Sequence, residues 1–257
     1  MKEPSRRRWP VPLGLVALLA LVVLAATGCP KPPEIAEGTD CWHTESGTFQ
    51  KLPTLPANFF GPRSEAIPNP VVQFEGVPLD PDFVAAPYPE GCGCPEEVDV
   101  TLTWVDRHGS PVSGDSAHRV KQVPNRTTDI DTCIRRKTMA KLNPHAAVKV
   151  DIELVALSLK SVDPLEVTYK GEPPHGEETT KAFDVFVTKS STPPPSGSSM
   201  TFTPGASANN GEISLDDLRI AYDVEFQEVG GSGVFTKTGL NTRLRSDPAH
   251  PGNFHKP

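Results

Sequence analysis

Proline restricts this chain more than any other residue type. It occupies 29 of 257 positions, about 11% against a usual value near 5%. Because proline lacks the backbone N–H and fixes φ, prolines at this density disfavour long helices and central strands. A helical bundle or coiled coil is therefore not expected. Hydrophobic residues make up 37% of the chain, which is enough for a core, so we predict a folded β protein with many turns.

Three segments alternate apolar and polar residues with the period of a β-strand. They run over residues 98–104, 148–154 and 218–227. A strand with this alternation has one buried and one solvated face, whereas a helix would spread the same apolar residues around its surface. Shorter strand candidates are 165–170, 181–188, 199–203 and 233–238. Together they predict an all-β fold, specifically an antiparallel β-sandwich of immunoglobulin-like architecture.

The connections between these segments are rich in turn-forming residues. Asp106–Gly109 is typical of a turn after the first strand, and Asn210-Gly211 of a turn before Glu212. The segment 115–145 is ambiguous, since Asp131 is a candidate N-cap for a short helix through Leu142.

The first 29 residues have the parts of an export signal. A basic segment ending in Arg6-Arg7-Arg8 precedes an uncharged run of 17 residues, 11–27, and this order is typical of a secretory signal peptide. Ala26-Thr27-Gly28-Cys29 resembles the lipobox of bacterial lipoproteins, with Ala26 where that family usually has leucine. The resemblance implies cleavage before Cys29 and lipid on its sulfur. An uncleaved anchor and an ordinary secretory signal are the alternatives.

The same resemblance implies a place in the cell envelope. Stable anchoring needs more than one acyl chain, which the family's triacylated cysteine supplies. Pro30 rather than aspartate follows Cys29, and in this family that favours the outer membrane. Removal of the signal takes away four basic residues and one acidic residue and shifts the net charge from −7 to about −10. Nucleic acid is a poor partner for such a chain. An anionic lipid surface would not attract it either, so the lipid on Cys29 must provide the membrane contact.

Four cysteines remain for other roles: Cys41, Cys92, Cys94 and Cys133. An even number in an exported chain indicates disulfides. A bridge between Cys92 and Cys94 would close a very small, strained ring. We therefore predict that Cys41 bonds to one of these two and Cys133 to the other, with both pairings open. A metal site combining these cysteines with His43 is the alternative, but Cys-x-Cys is not the usual zinc spacing.

Thirteen of the 29 prolines lie in residues 30–96. Such a segment is typical of a semi-rigid spacer, but this one also carries five phenylalanines, and disordered segments are usually poor in aromatic residues. The predicted organisation is a signal peptide (1–28), a tether (29–40), a proline-rich arm packed on the domain (41–96), a β-sandwich domain (97–240) and a polar tail (241–257).

Catalytic motifs are absent from the sequence. It has no Gly-x-Ser-x-Gly, His-Glu-x-x-His, P-loop or dinucleotide fingerprint. The seven histidines are expected in exposed loops. The acidic pairs around Asp131 and at Asp216-Asp217 lack the spacing of a calcium loop and are expected to be solvated surface charges. We therefore expect no catalytic residue, no metal and no cofactor.

Two functions fit these observations. The first is a lipid-anchored, non-enzymatic envelope protein that acts as a structural or protein-interaction module, which predicts an exposed apolar patch or an open sheet edge. The second is a glycan- or peptide-binding module, which requires aromatic side chains such as Trp42, Tyr88 and Tyr222 together in an exposed groove. Trp104 is expected in the core, and Trp42 is expected to pack on a disulfide.

Overall fold

A computed structural model describes residues 34–35, 37–44, 48–79, 99–105, 117–122, 130–172, 176–206, 210–246 and 252–255. The chain divides into two units, Met1–Pro32 and Pro33–Pro257, and every described residue belongs to the second. Within the described residues, no helix is long and apolar enough to span a membrane.

The described residues form fifteen β-strands. In chain order they are β1 (Glu34–Ile35), β2 (Gly38–Thr44), β3 (Thr48–Lys51), β4 (Val71–Gly76), β5 (Asp99–Val105), β6 (Ala117–Gln122), β7 (Thr132–Arg136), β8 (Ala140–Lys141), β9 (Val148–Ser161), β10 (Leu165–Tyr169), β11 (Thr179–Lys189), β12 (Ser199–Pro204), β13 (Asn210–Glu228), β14 (Val234–Ser246) and β15 (Gly252–His255). The predicted all-β antiparallel fold is confirmed, because every pairing among these strands is antiparallel.

The strand pairings close a circuit. Beginning at β9, successive hydrogen-bonded neighbours are β11, β13, β14, β5, β6, β2, β7 and then β9 again. Two strands each pair with both of the long strands β9 and β13. β12 pairs with the N-terminal parts of β9 and β13, and β11 pairs with their C-terminal parts. The inward-facing side chains of the circuit form one continuous apolar cluster, which includes Leu154, Val187 and Ile220.

A bulge in β9 changes which side chains face this cluster. Cys133 is opposite Ala156 whereas Ile134 is opposite Leu154, so Val155 is the extra residue. Because one added residue reverses the alternation of faces, Leu157 and Leu159 turn inward after the bulge. Ala156 instead joins a second, smaller apolar cluster with Cys133. The alternation of apolar and polar residues over 148–154 therefore ends at the bulge.

All seven predicted strands are present, and three of them extend well beyond the predicted bounds. The core regions 98–104, 148–154 and 218–227 lie in β5, β9 and β13, and the four shorter candidates correspond to β10, β11, β12 and β14. Asn210-Gly211 is not the turn: Gly211 already pairs with Pro204 in the β12–β13 ladder. The ambiguous segment contains no helix in its described part, where β6, β7 and β8 occur instead. Residues 106–109 lie outside the described residues.

The structure places the N-terminal boundaries differently from the sequence. The predicted tether ends at residue 40, but β1 begins at Glu34 and β2 at Gly38. The described part of the predicted arm contributes the end of β2 together with β3 and β4, and β2 is an internal strand between β6 and β7. The predicted polar tail also differs, since β14 continues to Ser246 and β15 covers Gly252–His255.

The turn-rich segment 52–70 explains how the arm's prolines are accommodated. Leu52, Leu55 and Phe60 are each at most 2% exposed, and the segment is closed by Leu52 N–H donating to the Pro70 carbonyl at 2.8 Å. Its prolines lie in turns and connections, where no ladder N–H is needed. A proline-rich stretch therefore forms part of the core without interrupting a central strand.

Candidate functional site

The junction of β2 and β7 brings together the buried charged side chains of the described residues, Asp40, Asp131 and Arg136, and the two described cysteines. Along β2 the burial alternates, so that Asp40, Trp42 and Thr44 are buried while Cys41 and His43 are partly exposed. Trp42 faces the interior of the circuit, and the intervening residues face outward. Asp131 directly precedes β7 and contacts the end of β2 at His43 and Thr44.

Asp131 is completely buried and is the centre of a polar network. Its Oδ2 accepts a hydrogen bond from the Thr44 backbone N–H at 2.6 Å. Its Oδ1 accepts hydrogen bonds from the hydroxyls of Thr44 at 2.7 Å and Thr132 at 2.6 Å. The His43 Nδ1 atom lies 3.2 Å from Oδ2. Gly76 packs so closely that a Cβ atom there would overlap the carboxylate, so no larger residue fits without moving Asp131.

Burial raises the pKa of Asp131 above its ordinary value of 3.8. Removing the carboxyl group from water disfavours its charged form more than the hydrogen bonds from Thr132 and Thr44 favour it. The folded protein therefore binds this proton more tightly than the unfolded chain does. The free energy of unfolding falls as the pH rises from the unfolded pKa through the higher folded pKa.

We expect Asp131→Asn to remove this pH dependence, because the amide stays neutral throughout. As the pH is lowered from about 7 towards 4, the free energy of unfolding of the natural protein should rise relative to that of the variant. Urea unfolding followed by circular dichroism at several pH values measures the difference. Asp216→Asn, at an exposed carboxylate, is the matched control. The raised pKa of Asp131 would be contradicted if the stability advantage of the natural protein over Asp131→Asn stayed constant with pH, or grew towards neutral pH.

A buried ion pair lies on the inward side of the same junction. Arg136 Nε is 2.9 Å from Asp40 Oδ2, and their side chains are 1% and 6% exposed. In the β2–β7 register Arg136 is opposite Gly38 and Asp40 is opposite Ile134, so the two charges are diagonal neighbours on one face. Glycine at position 38 leaves room for the long arginine side chain across the strand pair.

Cys41 and Cys133 are directly opposite each other in the β2–β7 ladder. Cys133 is fully buried and Cys41 is partly exposed, and both contact the small cluster formed by Ile130 and Ala156. Cys92, Cys94 and the lipidation residue Cys29 lie outside the described residues. Within the described ranges, no group of three or more His, Cys, Asp or Glu side chains is arranged to hold a metal ion.

A cavity of about 40 Å³ lies inside the circuit. Its wall is mainly aliphatic, and its polar members include Gln50, Thr132 and Tyr222. The Tyr222 hydroxyl interacts with the Gln50 side chain, and burial raises the pKa of this tyrosine. The indole N–H of Trp42, which also lines the cavity, has no acceptor among the described residues. A cavity that holds benzene measures roughly 150 Å³, so this one admits only very small molecules.

The predicted aromatic platform is not found in the described residues. Trp42 is 1% exposed and Tyr222 is 3% exposed, while Tyr88 and the side chain of Trp104 lie outside the described part. Trp42 projects from the opposite face of β2 to Cys41, so it does not pack on a cysteine bridge there. The structure nevertheless brings Trp42 and Tyr222 to one cavity, a proximity that their separation in sequence does not reveal.

Two expectations about charged residues need correction. Asp131 is not a surface charge but is fully buried, whereas Asp216 is exposed as expected. His43 is not in a loop but in β2, against Asp131; His145 is in an exposed turn. The Asp131 network was missed because its members, Thr44 and Asp131, are 87 positions apart. Comparisons with protein-family models, curated proteins and solved structures found no match.

Proposed function

We propose that this chain is a lipid-anchored, non-enzymatic protein of the cell envelope that acts as a structural or protein-interaction module. The observation that carries the proposal is the Ala26-Thr27-Gly28-Cys29 motif immediately before the compact unit Pro33–Pro257. Four residues separate Cys29 from Glu34, the first residue of β1. An extended chain of that length spans at most about 18 Å between the two Cα atoms. Lipid on Cys29 would therefore hold the folded unit close to the membrane surface, the outer membrane being favoured by Pro30.

Two features of the described surface support an interaction role. The strands β3 and β15 each pair with a single strand within the described ranges, β4 and β13 respectively. A strand with one unpaired side presents backbone N–H and C=O groups to which a partner strand can add. The β13–β14 hairpin also presents Val229 and Val234 to solvent, 51% and 56% exposed, at the tip of two long strands.

The anchor proposal is tested by Cys29→Ala. We expect this variant to lose all fatty-acid label and to leave the membrane fraction, because the resemblance assigns the acyl chains to that sulfur. Metabolic labelling with a radioactive fatty acid, followed by membrane fractionation of the labelled cells, measures both effects. Cys92→Ala is the matched control and should keep its label. Label retained by Cys29→Ala would overturn the proposal.

A glycan- or peptide-binding module is the second candidate, and the described residues favour it less. The two described aromatic candidates line a cavity too small for a sugar ring, rather than a surface groove.

We also propose that the circuit is flattened into two facing layers, as in an immunoglobulin-like sandwich. The continuous apolar cluster shared by β2, β9, β11 and β13 supports this arrangement, since sandwiches bury the inner faces of both layers in a common core.

A further inference from the structure

The register of β2 and β7 places two cysteines within bonding reach. Cys41 and Cys133 are Cα partners in an antiparallel ladder. Directly opposite residues project from the same face of such a ladder, with Cα atoms roughly 4.5–5.5 Å apart. Disulfides accept Cα separations of about 4.4–6.8 Å. The register therefore brings the two Cα atoms into the range of separations that a bridge requires.

The surroundings of the two sulfur atoms also suit a bridge. Both side chains belong to or contact the same small apolar cluster, which includes Ile130, Ala156 and Leu79. The segment that carries Leu79 is fixed there, because Leu79 N–H donates to the Ile130 carbonyl at 2.8 Å. A disulfide is less polar than two thiols and buries well in such an environment. The strand β7, which carries Cys133, is hydrogen-bonded to β2 on one side and to β9 on the other.

We propose that Cys41 and Cys133 form a disulfide that joins β2 to β7. This pairing is an alternative to the two predicted from the sequence, in which Cys41 and Cys133 each bond to Cys92 or Cys94. Cys92 and Cys94 need not bond to each other when Cys41 and Cys133 are linked, so the strained Cys92–Cys94 ring does not exclude this pairing. The new proposal concerns the folded unit alone and does not depend on the lipid anchor.

The exposure of the two residues sets the order of the chemistry. Cys41 is partly exposed whereas Cys133 is buried, so Cys41 reacts first with a disulfide oxidant such as oxidised glutathione. The Cys41 thiolate attacks one glutathione sulfur, forming a mixed disulfide and releasing one glutathione thiolate. The Cys133 thiolate then attacks the Cys41 sulfur and releases the second. The two cysteine protons pass to the two glutathione thiolates, and the two electrons reduce the oxidant's disulfide.

Peptide mapping of the full chain tests this pairing. The protein is oxidised with glutathione disulfide, its remaining thiols are alkylated, and it is digested with trypsin without reduction. Lysine and arginine residues place Cys41, Cys133 and the Cys92/Cys94 pair in three different peptides. Cys29 shares the Cys41 peptide, because trypsin does not cleave between Lys31 and Pro32, so tandem mass spectrometry locates the linked cysteine within that peptide. We expect a linked peptide containing Cys41 and Cys133, which separates into two on reduction. A link from either residue to Cys92 or Cys94, or alkylation of both residues after oxidation, would overturn the proposal.

Two variants sharpen the result. In Cys41→Ser the Cys133 thiol should become alkylated after unfolding, since its partner is gone. In the double variant Cys92→Ser/Cys94→Ser the linked Cys41–Cys133 peptide should persist unchanged. The double variant keeps the test decisive even if Cys41→Ser does not fold, because it leaves the β2–β7 junction intact. Loss of the Cys41–Cys133 link in the double variant would count against the proposal.

Discussion

Replacing Phe60 with alanine is expected to lower the free energy of unfolding by about 3–5 kcal/mol. Phe60 is 2% exposed, and its ring centroid lies 4.7 Å from that of Phe183 and 5.1 Å from that of Phe226. Truncation removes the buried ring and leaves a cavity against the side chains of Phe183 in β11 and Phe226 in β13. Urea unfolding followed by circular dichroism measures the loss, and the midpoint should fall while the dependence on urea concentration stays unchanged.

Phe186→Ala is the matched control for this prediction. Phe186 lies on the same strand as Phe183 but is only partly buried, on the face where Lys160 approaches its ring. Its truncation should cost less than half as much as that of Phe60. Equal losses would mean that the segment 52–70 lies loosely on the surface, as an adherent arm would. A large loss at Phe60 alone would show that this proline-rich segment is part of the core.

Arg136→Met is expected to destabilise the protein by a similar amount, about 3–5 kcal/mol, because it leaves the Asp40 carboxylate buried without its cation. The guanidinium and carboxylate groups are 2.9 Å apart and almost fully buried. Chemical unfolding of the variant at pH 7 measures the effect.

Arg135→Met provides an internal comparison. Arg135 is the adjacent residue, but it faces outward and pairs with Glu153 at an exposed site, where the side chains are 56% and 32% accessible. Exposed ion pairs contribute about 0–1 kcal/mol, so this change should be nearly neutral. The double variant Arg136→Met/Asp40→Leu should recover most of the stability lost in Arg136→Met. No recovery would mean that Arg136 acts through packing rather than through its charge.

The strands that the sequence predicted are those whose inward residues are apolar. Val150, Ile152 and Leu154 in β9 are an example, since all three are buried in the main cluster. β2 was missed because its inward positions include Asp40 and Thr44, which give no hydrophobic alternation. Those polar residues are buried only because Arg136 and Asp131 meet them across the β2–β7 ladder. A single strand carries no sign of partners that lie on another strand.

The candidate site depended still more on tertiary register. The sequence predicts disulfides at Cys41 and Cys133 but does not place the two residues opposite each other, since register follows from how β2 and β7 align. The bulge at Val155 was equally invisible, and it decides that Ala156 packs beside Cys133 rather than in the main core. The sequence predicts a surface charge or a helix N-cap at Asp131, because the hydrogen-bonding partner Thr44 on β2 is remote in the chain.

The internal position of β2 also has a consequence for folding kinetics. Thr44 and Asp131 are 87 positions apart, and β6, the other neighbour of β2, is also far downstream. During synthesis, β2 therefore emerges before β6 and β7 and stays unpaired until they have been made. Folds dominated by such distant pairings are slow to form, and an unpaired strand can associate with other chains while it waits. The turn prolines that follow β3 would discourage that association, because proline interrupts intermolecular strand pairing.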